Sequence, residues 1–306
     1  WTDPTIELVV CGSSHRGMAT FGKWELEVLD HTFNHVDYIS IHSYYGNADN
    51  DTPNFLAKPD GMSEFIEEVA AMCDTVAAIK KSRKRIMLSF DEWNVWFHSH
   101  GDRKKRGIRE WDIAPPLLED SYTAEDALCV GGMLIALLNH CDRVRIGCIA
   151  QVVNVIAPIM TVKGGPAWRQ TIFYPFQHAS NFGRGRVLRP LITAPRYDCK
   201  ERKGVPYLMA ACVHDPASGG LALFAVNRSL DQKMGLRVDL RALDGLCVRE
   251  WHVLRHDDLR AVNAPEAPNT VVPRQATGAA LDGSCLSAIL EPASWNVIRL
   301  ARRQQP

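Results

Sequence analysis

The sequence lacks several features that mark particular classes of protein. It has no net charge, because Lys+Arg and Asp+Glu both number 35. Nucleic acids and anionic membranes attract a basic excess, so we predict neither as a partner. There is no apolar run long enough to span a bilayer and no pattern typical of a signal peptide. What is present is an ordinary globular composition, with 46% hydrophobic and 23% charged residues.

Clustered cysteines are also missing, although the chain has nine cysteines in total. Their number is odd, their spacing is wide, and no C-x-x-C motif occurs. This pattern predicts free thiols in a reducing compartment, and therefore a cytoplasmic protein, rather than a disulfide framework or a zinc site. His98 and His100 form a weak metal-like pair without an evident third ligand. We therefore predict no metal and no cofactor.

The first half of the sequence alternates between predicted strands and helices. Strands are predicted at 6–11, 36–41, 86–90 and 144–149, and helices at 24–31, 65–79 and 124–140. Gly61 is expected to precede the second helix, and Thr123 with Asp126 to cap the third. The pair Gly131-Gly132 should let the third helix pack closely. This alternation is typical of βα units with a parallel sheet, but four strands do not complete an eight-stranded barrel.

The second half has a different character. Helical periodicity disappears after about residue 185, and short β-rich runs are separated by turn residues. Strands are predicted at 221–226, 236–240, 248–254, 287–290 and 295–300. The pattern is typical of an antiparallel β-sandwich. We therefore predict two domains, at residues 1–185 and 186–306.

Two adjacent carboxylates follow the third predicted strand, in the segment S-F-D-E-W-N-V-W at residues 89–96. In a (β/α) barrel, residues at the carboxyl ends of strands face the active site. Because side chains alternate along a strand, only one of Asp91 and Glu92 should reach a pocket. Backbone or packing contacts should hold the other.

The ends of the two neighbouring strands carry further polar and aromatic groups, I-H-S-Y-Y-G-N at 41–47 and A-Q-V-V-N at 150–154. A Tyr hydroxyl or His imidazole there can hydrogen-bond a carboxylate and keep it ionised. Trp93 and Trp96 offer flat faces to a sugar, and Asn94 can donate and accept hydrogen bonds. The three strand ends together predict a sugar-binding rim. Taken alone, Glu92 fits a helix cap equally well, and His42 fits a buried core position.

The string L-S-F-D-E-W-N-V-W resembles the nucleophile motif of the family 51 α-L-arabinofuranosidases. The similarity includes D-P-T-I-E-L-V-V-C-G-S-S, V-D-Y-I-S-I-H-S-Y-Y-G-N, Q-V-V-N-V-I-A-P-I-M-T and S-W-N-V-I-R-L, and it covers essentially all 306 residues. It implies a retaining, exo-acting glycosidase that releases terminal α-L-arabinofuranosyl residues from arabino-oligosaccharides. Glu92 would be the catalytic nucleophile. The resemblance further implies that His42 and Tyr44 lie close to Glu92 and tune it. It also implies substrate-binding roles for His42, Tyr44, Trp96, Gln151 and Asn154.

The same resemblance implies a fold: the second half of a (β/α)8 TIM barrel, followed by a C-terminal, jelly-roll-like antiparallel β-sandwich. The family's acid/base glutamate lies in an N-E motif ahead of the matching region, and this sequence has no N-E pair. The sequence also opens with Trp1 rather than Met. We therefore expect a fragment that lacks the acid/base residue, is catalytically impaired and folds marginally. The intact enzymes are expected to be homo-hexamers.

Two other functions remain open at this point. One is an endo-xylanase or endo-glucanase with the same clan architecture. The other is a non-catalytic remnant that only binds sugar. The basic run at residues 103–106 is expected to be a solvated loop.

Overall fold

The computed structural model describes residues 3–100, 107, 109, 111–241 and 243–303, so the basic run at 103–106 lies outside the described residues. The elements of the first part are β1 (Val9–Val10), α1 (Lys23–Thr32), β2 (Tyr38–Tyr45), α2 (Thr52–Leu56), α3 (Lys58–Ile79), β3 (Met87–Val95), α4 (Ala124–Asn139), β4 (Val144–Ile149), β5 (Ile159–Thr161), β6 (Ala167–Arg169) and α5 (Phe173–Phe182).

The first four strands form one sheet in the order β1-β2-β3-β4, and every neighbouring pair is parallel. The predicted parallel sheet is therefore confirmed. Its core includes Ile39, Leu88 and Phe90 from the central strands, which lie in one apolar cluster with Phe65 and Val69 of α3. The first residues of both central strands are apolar because helices cover this part of the sheet.

Two boundaries differ from the sequence-based expectation. β2 continues to Tyr45 and β3 to Val95, so the polar residues expected beyond these strands lie within them. The expected position of Gly61 before the helix is wrong, because α3 begins at Lys58. Pro59 occupies its first turn, where the fixed φ of proline suits a helix start.

Helix α4 joins the two halves of the molecule. Its predicted capping box is confirmed: the Thr123 hydroxyl accepts from the Asp126 N–H, and the Asp126 carboxylate accepts from the Thr123 N–H. A Cβ atom on Gly131 would lie 2.6 Å from the ring of Trp295. One on Gly132 would lie 2.7 Å from Pro59. The prediction that this glycine pair allows close packing is therefore confirmed.

The second part of the chain is mostly strand. Its elements are β7 (Arg186–Leu188), β8 (Arg196–Tyr197), β9 (Val205–Pro206), β10 (Leu208–His214), β11 (Leu221–Asn227), β12 (Met234–Asp239), β13 (Leu246–Leu254), β14 (Arg274–Gln275), β15 (Ala280–Asp282), β16 (Cys285–Leu290) and β17 (Ser294–Arg302). A six-stranded sheet has the order β14-β13-β17-β11-β10-β7, and a three-stranded sheet has the order β12-β16-β15. Each predicted run in this half lies largely within a strand.

The six-stranded sheet is buried on both faces. Along β11, Leu221 and Leu223 belong to the cluster shared with the three-stranded sheet. Alternating with them, Ala222 and Phe224 belong to the cluster shared with α4. Alternate side chains of one strand thus point into two cores, which explains why β11 is apolar at almost every position. Two sheets packed face to face are compatible with a sandwich.

Helix α5 was not predicted from the sequence, and Pro175 lies in its first turn. All nine cysteines are free, so the prediction of free thiols is confirmed. Within the described ranges, no helix combines the length and apolar character needed to cross a membrane.

Candidate active site

An irregularity in β3 determines the geometry at the two carboxylates. Ser40 of β2 pairs with Ser89, whereas His42 pairs with Glu92, so β3 carries one residue more than β2 over this stretch. The pairing of β3 with β4 is also irregular there. A β-bulge of this kind interrupts the alternation of side chains and redirects the residues around it, here Asp91 and Glu92.

Both carboxylates reach the same imidazole. His42 Nε2 lies 2.9 Å from Asp91 Oδ1, and His42 Nδ1 lies 3.4 Å from Glu92 Oε2. Asp91 also accepts a hydrogen bond of 3.0 Å from the Ser89 hydroxyl. The bulge removes the strict alternation that would point the two carboxylates apart, so both contact His42. The role of Asp91 as a partner of His42 was missed for the same reason. That only one of the two carboxylates reaches a pocket stays a prediction.

The Tyr44 hydroxyl donates a hydrogen bond to Glu92 Oε1. Burial, and then this hydrogen bond, raise the pKa of Tyr44 well above its usual range, so the hydroxyl stays protonated and remains a donor. The Glu92 side chain is nevertheless 43% exposed, so a ligand can approach it. His42 and Tyr44 thus both contact an accessible carboxylate, as the resemblance implies.

A cavity of about 490 Å³ begins beside this group. Tyr44 and Trp96 both line it, and their rings meet edge to face with centroids 5.2 Å apart. Asn47, Asp49 and Glu201 line other parts of the wall. An aromatic face next to hydrogen-bonding groups suits the apolar and hydroxylated sides of a sugar.

Gln151 and Asn154 lie in the segment after β4. Gln151 is exposed, and within the described part of the chain its side chain has no hydrogen-bond partner. The Asn154 side chain is occupied locally, because its Oδ1 accepts from the Thr161 N–H at 2.7 Å. Its Nδ2 donates to the Thr161 hydroxyl at 2.9 Å. The structure therefore brings His42 and Tyr44 to Glu92, places Trp96 against the Tyr44 ring, and joins Asn154 to Thr161.

Trp93 and Asn94 are internal. Trp93 is fully buried and stacks with Phe176 at a centroid distance of 6.4 Å. Asn94 is also fully buried, and its Nδ2 donates to the Ile156 carbonyl at 2.6 Å and to the Ala150 carbonyl. Trp93 is thus a core residue, and Asn94 holds the segment after β4 against β3 rather than facing a ligand.

The histidine pair after β3 is used for contacts within the protein. His98 Nε2 lies 2.8 Å from Asp126 Oδ2, at the first turn of α4. Burial lowers the pKa of His98, but the hydrogen bond and charge of Asp126 outweigh it, so the net shift is upward. The His100 ring lies against Trp96, with centroids 4.7 Å apart. Among the described residues, no group of three or more potential ligands could hold a metal ion.

The chain matches the family model for the α-L-arabinofuranosidase C-terminal domain over residues 91–294. This span includes Glu92, the segment after β4 and almost all of the second part of the chain. The match covers well over half of the 306 residues.

Two bacterial relatives match almost the whole chain. An intracellular exo-alpha-(1->5)-L-arabinofuranosidase from Halalkalibacterium halodurans is 54% identical over 98% of this chain and 59% of its own length. The corresponding Bacillus subtilis enzyme, designated 1, is 52% identical over 99% of this chain and 60% of its own. The chain thus spans about 60% of the length of the curated relatives it matches.

Solved structures show the same relationship. A family 51 alpha-L-arabinofuranosidase from Bifidobacterium longum superposes with a TM-score of 0.89 at 37% identity, covering 96% of this chain and 59% of that one. An alpha-L-arabinofuranosidase from Thermotoga maritima shares the fold, with a TM-score of 0.79 at 22% identity, covering 97% of this chain and 58% of that one. Through the family model and these relatives, the chain belongs to the family 51 α-L-arabinofuranosidases.

Proposed function

We propose that the chain contributes the nucleophile of a retaining, exo-acting α-L-arabinofuranosidase, and that Glu92 is this nucleophile. One observation carries the proposal: Glu92 is an accessible carboxylate contacted by both Tyr44 and His42, and Tyr44 also lines the 490 Å³ cavity. It also lies within the segment that the family model matches.

In a retaining mechanism, one carboxylate attacks the anomeric carbon and forms a covalent glycosyl-enzyme intermediate. Donors that hydrogen-bond the charged form of Glu92 keep it ionised for this attack, and Tyr44 is such a donor. A second carboxylate, about 5–5.5 Å from the first, protonates the leaving oxygen and later activates water. Asp91 is engaged by His42 and Ser89. We therefore assign the acid/base role to a glutamate in the part of the relatives that this chain does not match.

The proposed substrates are arabino-oligosaccharides with terminal α-L-arabinofuranosyl residues, in line with the names of the relatives. Trp96 and Gln151 are proposed to contact the arabinose, and His42 and Tyr44 to position Glu92. We extend the proposal to Asn154, whose turn with Thr161 would then present the segment after β4 to the sugar. The word intracellular in those names favours a cytoplasmic site of action. Assembly into a homo-hexamer stays a prediction.

We also propose that residues 1–185 form the second half of a (β/α)8 barrel and residues 186–306 a jelly-roll-like sandwich. The four parallel strands in sequential order, with helices between them, support the barrel half. The six- and three-stranded sheets that share one apolar cluster support the sandwich. The carboxyl ends of β2 and β3, which carry Tyr44 and Glu92, would then face the barrel's active-site opening.

The proposal is tested by incubating the chain, and the natural protein that contains it, with an aryl α-L-arabinofuranoside bearing a good leaving group. Such a group departs without acid assistance, so the reaction depends only on the nucleophile and a formed pocket. Intact-mass spectrometry should detect an arabinosyl adduct. The adduct should disappear in Glu92→Gln and persist in Glu266→Gln, a control at an exposed position of the second part of the chain.

Turnover of the natural protein should fall by at least about 10⁴-fold in Glu92→Gln, because residues that act as a catalytic unit cost this much when one is removed. Near-normal turnover in that variant would remove Glu92 from the mechanism. An adduct in the natural protein but none in the isolated chain would mean that residues outside this chain are needed to form the pocket.

A further inference from the structure

One wall of the 490 Å³ cavity is a turn that follows β2 at residues 46–51, all of which except Asn50 line the cavity. Asn47 organises this turn: its Oδ1 accepts from the Asp51 N–H at 2.7 Å, and its carbonyl accepts from the Asn50 N–H at 3.1 Å. Asn50 has a φ of 58°, a left-handed conformation that asparagine tolerates better than most residues. The shape of the wall therefore depends on two asparagines.

This turn, here named the wall turn, is anchored to α4 by a buried carboxylate. The side chain of Glu125 is fully buried in the first turn of α4. Its Oε1 accepts a hydrogen bond of 3.1 Å from Asn47 Nδ2. A carboxylate without solvent needs a counter-charge, because removing an ion from water costs several kcal/mol.

Arg260, from the second part of the chain, supplies that charge. Its Nη1 donates to Glu125 Oε2, and its Nη2 donates to Asn50 Oδ1. Asn47, Glu125, Arg260 and Asn50 thus form a closed ring of polar contacts. The planar fork of arginine can hold two acceptors at once in fixed directions, which the ammonium of lysine does not reproduce.

The segment that presents Arg260 is itself held by backbone contacts. The Ala124 N–H donates to the Ala261 carbonyl at 2.9 Å, and the Glu125 N–H donates to the Leu259 carbonyl at 3.0 Å. These are N–H groups of the first turn of a helix, which have no partner within the helix. The segment is therefore a fixed support for Arg260 rather than a loose surface loop.

We propose that Arg260 is a positioning residue that determines specificity. Through Asn50 and Glu125 it fixes the shape of the wall turn, and this shape strengthens the binding of sugar units beyond the arabinose that is cleaved. The inference rests on the proposed function. The ring contains neither Glu92 nor Tyr44, so its loss acts on the cavity wall and leaves the reacting carboxylate in place. The part of the chain remote from Glu92 in sequence thus shapes the substrate cavity.

The test uses the natural protein that contains this chain, with Arg260→Lys and Asn50→Gly as variants. Lysine keeps a charge near Glu125, and glycine suits the φ of 58° while removing the amide. We expect KM for an arabinotriose to rise about tenfold in both variants, equivalent to about 1.4 kcal/mol, with kcat within about twofold. KM for an aryl arabinofuranoside, which occupies less of the cavity, should change far less. Asn50→Asp, which keeps the oxygen that accepts from Arg260, should leave KM for the triose close to that of the wild type.

Arg241→Ala is the matched control, because Arg241 is an exposed arginine that pairs with Asp239 in the second part of the chain. An unchanged triose KM in Arg260→Lys and Asn50→Gly would overturn the inference. So would equal losses of kcat on both substrates together with a lower Tm, which would indicate a purely structural role.

Direct binding separates this inference from the proposed function. Calorimetric titration of arabinotriose into the Glu92→Gln protein, with and without Arg260→Lys, measures how much Arg260 contributes to the affinity for the triose in the absence of turnover. Weaker binding in the double variant supports the inference, whether or not the wild type is active. An inactive wild type would overturn only the proposed function. Equal binding in both proteins would overturn the inference.

Discussion

His42 illustrates how much one side chain can determine at a site. Its two ring nitrogens face different carboxylates, at 2.9 Å from Asp91 and 3.4 Å from Glu92. A neutral imidazole can donate from one nitrogen only, whereas the imidazolium donates from both. Asp91, with its second hydrogen bond from Ser89, orients the ring, and the ring in turn faces Glu92. The carboxylate beside the proposed nucleophile is therefore part of the site.

A second histidine contributes to stability rather than to the site. His178 of α5 is buried, and its Nδ1 accepts a hydrogen bond of 3.1 Å from Trp295 Nε1. Burial, and then the neighbouring His252, lower the pKa of His178 to about 4, against an opposing effect of Glu250. The folded protein thus binds this proton less readily than the unfolded chain, in which the pKa is about 6.5. The resulting stabilisation is fully present above pH 6.5 and is lost as the pH falls from there through 4.

We predict that His178→Asn reduces the loss of stability on acidification. The asparagine Oδ1 can still accept from Trp295, but it cannot be protonated in this range. Between pH 7.5 and 4.5 the free energy of unfolding should fall by about 2–3 kcal/mol less in the variant than in the wild type. Urea unfolding at the two pH values measures this difference. His35→Asn, at an exposed position, is the control, and parallel pH dependences of wild type and His178→Asn would refute the prediction.

At the scale of elements, α4 is the most constrained part of the chain. One face packs on the parallel sheet and another on the six-stranded sheet, and its first turn receives Asn47, His98 and Arg260 through two adjacent acidic residues. The helix therefore fixes where the loops around Trp96 and Tyr44 lie relative to the β-rich part. This explains why the helix is apolar on nearly all sides.

Gly131→Ala tests this packing. Alanine favours a helix by about 1 kcal/mol over glycine, but its Cβ would lie 2.6 Å from the Trp295 ring. We expect the steric effect to dominate and to lower the free energy of unfolding by about 1–3 kcal/mol. Denaturant unfolding measures the change. Gly235→Ala in β12, where no atom lies within 4 Å of the added Cβ, should be neutral or stabilising. A stabilised Gly131→Ala protein would show that the helix can shift away from Trp295.

At the scale of the whole molecule, the parallel sheet ends in two strands that each have one neighbour, β1 and β4. Apolar side chains are exposed beside β1, with Ile6 62%, Leu8 44% and Val9 44% exposed. Unpaired parallel strands with apolar flanks favour association with another strand. The part of the H. halodurans relative that this chain does not match is the natural candidate to cover them.

We predict that co-expression with that part of the relative lowers binding of a hydrophobic dye and raises Tm by several degrees, because a partner that binds only the folded state stabilises it. Val9→Lys should weaken the gain, since a charge on an edge strand opposes pairing. If the chain alone melts in one sharp cooperative transition, binds no dye and gains nothing from the partner, its edges need no cover.

The local sequence determined much of this protein by itself. Apolar periodicity and turn residues predicted the four parallel strands, the helices between them and the β-rich second half, because these patterns reflect burial on one face of a local element. The capping box of α4 was also readable, since it acts within one turn. The glycine pair predicted close packing, but not its distant partners Trp295 and Pro59. The string around Glu92 identified the family, and with it the contacts of His42 and Tyr44.

Only the tertiary structure decided the contacts between distant residues. The bulge in β3 depends on the register with its neighbours, and it brought both Asp91 and Glu92 to one histidine, which strict alternation forbids. The fully buried positions of Trp93 and Asn94 depend on which elements cover them. Arg260 meets Glu125 across 135 positions of sequence, and no local pattern marks either residue. Such pairings arise from the packing of whole elements, so they become visible only once the chain is folded.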